Sequence, residues 1–172
     1  MTQARQQVEQ GPTPVVVVGD YITGLGRGVF TPMQVLKLAF LSHGYTLAIR
    51  EEPLFVEEIQ AWKYGPVIPA LYEALRVHGG APVQHLYSCK TPVISPDLDK
   101  RLEELGEMFH PDSLAIVKKT VESFGDYKAF QLSYITHMEG SPWKTAYDKG
   151  GLLTPIEDDD LKSYYAKQLD EK

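Results

Sequence analysis

Thr31-Pro32-Met33-Gln34-Val35-Leu36-Lys37-Leu38-Ala39-Phe40-Leu41-Ser42-His43-Gly44-Tyr45 sets the architecture of this chain. A threonine side chain accepts an otherwise orphaned amide at a helix start, and proline is preorganised for the first helical position. A helix is therefore predicted from Pro32 to about Ile49, with Pro53 following its end. Val35, Leu36, Leu38, Ala39, Phe40 and Leu41 are apolar nearly all round, which marks a central, buried helix. Lys37, set among them, must snorkel to solvent or pair with an acid.

Upstream, Val15-Val16-Val17-Val18 has strong β propensity, yet Val15 to Ile22 also fits a short buried helix, and periodicity does not separate the two. Gly24, Gly26 and Gly28 end whichever element this is, and Met1 to Pro14 reads as a flexible arm. Downstream, Leu54 to Tyr64 suits a short extended segment and Pro66 to His78 a helix closed by Gly79-Gly80. Gly65 before Pro66 suits a turn that reverses the chain and starts that helix. Val83 to Ile94, between Pro82 and Pro96, has room for one or two short strands. Helices are predicted over Asp97 to Phe109, Ser113 to Phe124, Tyr127 to His137 behind an Asp126 cap, and Pro142 to Lys149 behind Ser141. Thr136-His137 followed by Ser141-Pro142 thus reads as helix end, turn and new cap. Gly150-Gly151 breaks the chain before a last helix, Glu157 to Leu169. The expected fold is mainly α: residues 15–172 form one compact domain of about six to eight helices. Its small β element would consist of short strands near 54–64 and 83–94, and residues 1–14 form the arm.

The 172 residues are 43% hydrophobic and 23% charged, which excludes a wholly disordered or collagen-like chain. Val15 to Val18 is the longest aliphatic run, far short of the roughly 18 apolar residues that span a bilayer. Met1 to Gln10 is polar, so no secretory signal is expected. Cys89 is the single cysteine, and neither an internal disulfide nor a multi-thiolate metal site can be built from it. A reduced, cytoplasmic setting and no membrane partner are expected. Residues 1–90 hold seven Lys/Arg and seven Asp/Glu, whereas residues 91–172 hold ten against sixteen, so the net charge of −6 resides in the second half. Nucleic-acid affinity comes largely from Lys/Arg neutralising phosphates, and this balance runs the wrong way.

The chemical motifs fail on inspection. Gly19 and Gly24 have phosphate-loop spacing, but Leu25 and Gly26 stand where a lysine and a hydroxyl are needed. Gly24-Leu25-Gly26 continues with Arg27-Gly28-Val29, which does not complete a dinucleotide pattern. His43, His78, His85, His110 and His137 include no pair four residues apart, so no helical zinc pair arises. Lys90 beside Cys89 would lower the thiol's pKa, but an incidental thiol is the simpler reading, and no serine sits in a nucleophile-elbow glycine pattern. Glu157-Asp158-Asp159-Asp160 is explained by the positive end of a helix dipole. No cofactor, metal or catalytic residue is expected. The aromatics group locally: Trp62 with Tyr64, Tyr72 with Tyr87, Trp143 with Tyr147, Tyr164 with Tyr165. Such side chains serve both cores and binding patches.

Three stretches occur in a telling order. Lys37-Leu38-Ala39-Phe40-Leu41-Ser42-His43-Gly44-Tyr45 comes first. Pro53-Leu54-Phe55 then precedes Ile59-Gln60-Ala61-Trp62-Lys63-Tyr64-Gly65-Pro66-Val67, with Pro69 and Leu71-Tyr72 beyond. Leu132-Ser133-Tyr134-Ile135-Thr136-His137 and Ser141-Pro142-Trp143-Lys144 form the last. This order resembles the Panacea domain, the SocA-like antitoxin domain of prokaryotic toxin–antitoxin systems, over about Val15 to Tyr165. Phe40 and His43 depart from the tyrosine and glutamine-like residue expected there, and the Gly24 to Gly28 loop is richer in glycine. The resemblance implies a short helix before the central one, so that Val15 to Ile22 is helical. It also implies a non-enzymatic antitoxin, associated with prophages or mobile elements, that neutralises a cognate protein toxin by direct binding. Occlusion of the toxin, or its delivery to a cytoplasmic protease, would be the mechanism. The family-motif residues offered as partner-binding candidates are Trp62, Lys63, Tyr64, Gly65, Pro66, Tyr72, Thr136, His137, Pro142 and Trp143. Two alternatives stand beside this: a phage or mobile-element protein that binds a host factor, and an enzyme using His137 with Glu139 or Cys89.

Overall fold

The computed structural model describes residues 11–86 and 95–171. Among them are eight α-helices and a three-stranded antiparallel sheet. Helix α1 spans Val15–Leu25 and α2 spans Pro32–Arg50; strands β1 (Gln60–Trp62) and β2 (Gly65–Val67) follow. Helix α3 (Pro69–Leu75) runs into a tighter turn at Arg76–His78, and α4 (Leu98–Gly106), α5 (Pro111–Phe124), α6 (Ala129–His137) and α7 (Pro142–Gly150) come next. Strand β3 (Thr154–Pro155) and α8 (Asp158–Asp170) complete the order. No helix among the described residues is long and apolar enough to cross a membrane.

Helix α2 is the axis of the molecule. The Thr31 hydroxyl accepts from the Gln34 amide while the Gln34 side chain accepts from the Thr31 amide, a reciprocal cap that satisfies two orphan donors. Every residue from Val35 to Gly44 is buried, because α1, α3, α5, α6, α8 and β2 all pack around this helix. Gly44 lets α8 approach: a Cβ there would lie 2.3 Å from the Tyr165 ring. Tyr165 is buried and meets Phe40 and Tyr45 edge-on, which makes the Tyr164-Tyr165 pair part of the core. The acidic run opens α8, with Asp158, Asp159 and Asp160 in its first turn. Asp158 also takes up buried His43, whose Nε2 lies 2.9 Å from its carboxylate and whose ring stacks on Phe55.

Four valines do form a helix in α1. Strand propensity reflects packing on a half-buried pleat, and here Val15, Val17 and Val18 are wholly buried against other helices. Asp20, fully buried on α1, accepts from the Leu86 amide at 2.9 Å and pairs with Arg101 of α4. Burial pushes its carboxyl up, and the Leu86 amide and Arg101 pull it back. The pair ties α1, α4 and the chain before residue 87 together.

The β element differs from the expectation. Gln60 to Trp62 lies within the predicted 54–64 segment, but Val83 to Leu86 forms no strand. Its backbone is satisfied one group at a time, Val83 N by the Phe30 carbonyl and Leu86 N by Asp20. The rest of the predicted 83–94 segment, with Tyr87, Cys89 and Lys90, lies outside the described residues, as do the first ten residues of the arm. Thr13, near the arm's end, is buried and its amide donates to the Leu54 carbonyl. Pro66 does not start a helix: Trp62 pairs with Gly65 across a Lys63-Tyr64 turn, and the helix starts at Pro69. The third strand, β3, pairs with β1 on its other edge. Helix α6 starts at Ala129, not behind Asp126. Tyr127 still belongs to the turn after α5, its amide bound to the Phe124 carbonyl, and Gln131 caps the Lys128 amide instead.

Candidate partner-binding site

The second and third stretches, 60 residues apart in sequence, meet at the β1–β2 hairpin. Lys37 is wholly buried, and the expectation that it snorkels or meets an acid fails. Its Nζ instead donates to the carbonyl oxygens of Tyr64 at 3.3 Å and Pro66 at 2.9 Å. Hairpin backbone oxygens replace a carboxylate, and loss of hydration pulls the ammonium down to about 7. Gly65, between those two carbonyls, has φ +112°, and a Cβ there would lie 2.6 Å from Lys37 Nζ and 2.9 Å from His137 Cε1. Only glycine fits both the backbone and the space.

His137 closes α6. Its Nδ1 donates to the Ser133 carbonyl, and its ring meets Trp143 edge-on at 4.2 Å between centroids. Trp143 stacks on Tyr147 at 5.0 Å, and its Nε1 donates to the Trp62 carbonyl at 2.8 Å. Trp62 packs against Tyr72 of α3, again at 5.0 Å. The Thr136 hydroxyl donates to the carbonyls of Leu132 and Ser133. Ser141 caps α7, and Pro142 is its buried first residue. Of the ten motif residues, Gly65, Pro66, Thr136, Pro142 and Trp143 are thus buried joints of a platform, with His137 half-buried among them. Trp62 is half-buried, and Lys63, Tyr64 and Tyr72 are exposed. Glu139 is exposed, and His137 bonds the Ser133 carbonyl through Nδ1 and packs its ring on Trp143. Cys89 lies outside the described residues.

Between α2, the hairpin, α3 and the chain before β3 lies a groove of about 660 Å³. Met33, Leu36, Trp62, Tyr72, Leu75 and Leu153 line it. That volume falls in the range of ligand pockets, roughly 300–1,000 Å³. Beside it, α6 presents Phe130 and Tyr134, each 70% exposed, and Met138 follows at its end. Helix α6 is fixed to the platform at both ends, by Gln34 Nε2 donating to the Tyr127 carbonyl and by His137 at Gly65. Helix α6 thus runs beside the start of α2 and the hairpin, both of which also help to form the groove. Sequence reasoning missed Phe130, Tyr134 and Met138. Their spacing of four residues is a visible helical stripe, but only the burial of Leu132 and Thr136 on the other face shows that it points outward.

A helical platform pinned by Lys37, Gly65, His137 and Trp143 defines a class, and the comparisons agree on it. The family model described as antitoxin SocA-like, Panacea domain, matches residues 35–144, from the buried run of α2 to the start of α7. The chain belongs to this family. Among curated proteins, antitoxin SocA of Caulobacter vibrioides (strain NA1000 / CB15N) is similar: 26% identical over 113 residues, covering 62% of this chain and 54% of that protein. The chain spans about half the length of the curated relative it matches. No solved structure matches.

Proposed function

We propose that the protein is an antitoxin that binds a cognate protein toxin directly, without catalysis, and occludes its working surface. The observation that carries this reading is the placement of large exposed aromatics, Tyr64, Tyr72, Phe130 and Tyr134, within residues 35–144, the stretch that matches the antitoxin family. Tyrosine and phenylalanine give large contact area at low entropic cost, and such side chains concentrate binding energy in protein interfaces. A standard interface needs about 800 Å² from each partner, so it would have to extend beyond the groove to the hairpin tip and α6. Rigidity favours the same use, since a preorganised surface loses little freedom on binding.

Co-expression with a toxic protein encoded beside this gene tests the proposal. Growth rescue together with a stable co-purified complex is the expected result, and Phe130→Ala/Tyr134→Ala should abolish both. Rescue without a stable complex would replace occlusion by delivery to a protease. Absence of both rescue and complex would sink the antitoxin reading.

A further inference from the structure

The groove differs in charge from the chain that forms it. The protein carries a net charge of −6, yet the charged side chains lining the groove are Lys37, Lys63 and Arg76, all basic. Lys37 sits beneath the floor, engaged with the Tyr64 and Pro66 carbonyls. Lys63 lies over the Tyr64 ring, 5.2 Å from its centroid, and Arg76 holds Glu73 through Nε while its side chain is exposed. The mouth thus combines apolar walls with Lys63 and with Arg76, whose charge Glu73 partly offsets, while Lys37 stays buried below.

A second observation concerns Leu153. Its φ is +67°, the left-handed region that a leucine occupies only at a cost of about 1 kcal/mol or more. The conformation is held by its amide donating to the Ala61 carbonyl at 2.8 Å beside β1. The outcome is a half-exposed leucine at the groove's rim, next to exposed Leu152. Asparagine or glycine would suit that backbone better, so the strain accompanies an apolar side chain in the groove.

We infer that this groove receives an acidic peptide segment of the partner, with a large apolar side chain seated against Trp62 and Leu153 and carboxylates facing Lys63 and Arg76. The inference rests on the binding role proposed above. A peptide fits better than a compact small molecule, because the groove is open along its rim, where Tyr64, Leu152 and Leu153 line it while each stays more than half exposed. Only an extended occupant covers both the hollow and its rim.

The test pans the full chain against a random dodecapeptide display library and measures the recovered peptides by fluorescence polarisation. Expected are peptides rich in Asp/Glu around Leu, Phe or Trp, whose affinity weakens with salt. Lys63→Glu/Arg76→Glu, both at exposed positions, should weaken them by about tenfold or more. Leu153→Asn should weaken them as well while leaving the melting temperature unchanged or raised. Recovery of basic or uncharged peptides, recovery of none, or full affinity in Lys63→Glu/Arg76→Glu would overturn the inference. The same charge-reversed variant enters the toxin co-expression assay. Rescue that persists there after the peptide result fails removes the groove inference alone, whereas failure of the unaltered chain to rescue removes the antitoxin reading.

Discussion

The indole Nε1 of Trp143 donates a 2.8 Å hydrogen bond to the main-chain oxygen of Trp62, joining α7 to β1 across 81 residues. The oxygen belongs to the residue that opens the Lys63-Tyr64 turn, so this bond fixes the hairpin tip relative to α7. Trp143→Phe keeps a phenyl ring in the site but removes the donor together with part of the buried indole. It should cost about 2 kcal/mol in urea denaturation. Trp143→Ala also empties the space beside Tyr147 and His137, and about 3–5 kcal/mol is expected. Equal losses in the two variants would mean that a phenyl ring restores nothing and that the joint depends on the whole indole with its hydrogen bond.

Gly65→Ala brings two penalties together. An alanine is strained at φ +112°, and its Cβ would press on Lys37 Nζ at 2.6 Å. A loss of about 2 kcal/mol or more is expected in chemical denaturation. Gly140, also at positive φ but with nothing within 4 Å of a Cβ, supplies the comparison. Gly140→Ala should show the backbone penalty alone and so cost less.

Thr31, Pro32 and Gln34 announce α2 because a cap is a local device, written within four residues. Lys37 is the opposite case. Its environment comes from hairpin carbonyls 27 and 29 residues away, and no local pattern foretells that backbone oxygens would replace an acid. Pro66 and Pro69 look equally suited to a helix start, and the pairing of Trp62 with Gly65 selects the second. Strand β3 is too short for any periodicity, since it is recruited by the edge of β1. At the site, Trp62, Gly65, His137 and Trp143 were legible as motif residues, but their division into buried joints and exposed contacts follows from tertiary packing. Phe130 and Tyr134 went unread, because four-residue spacing does not tell an outward face from a buried one until Leu132 and Thr136 are seen buried opposite.

Phe130→Ala/Tyr134→Ala separates binding from folding. Both side chains are 70% exposed, so their loss should change stability by no more than about 0.5 kcal/mol each. Toxin affinity, read by calorimetry on the purified complex, should fall at least about tenfold if either is an anchor. Unchanged affinity would place the interface away from α6.

Lys37 gives stability a distinctive pH dependence. Burial pulls its ammonium from 10.5 down to about 7, so in between the unfolded chain holds a proton that the folded chain has released. Stability therefore rises with pH from about 7 toward 10.5, with a limiting slope of about 1.4 kcal/mol per pH unit. Among the described residues, the other shifted groups leave most of this window clear. His85 is lowered from 6.5, so it adds to the rise only near the window's lower edge. Burial raises Tyr21, Tyr45, Tyr164 and Tyr165 above 10, so they reduce stability only as pH passes 10. Lys37→Met removes the titrating amine and leaves the Tyr64 and Pro66 carbonyls without their donor, and it should be the less stable protein at pH 9. The deficit should shrink toward pH 7, where the native lysine bears the cost of a buried charge. Urea unfolding of both proteins at half-unit steps from pH 7 to 9.5 checks this. A difference that stays constant across the window would show that Lys37 keeps its proton in the fold.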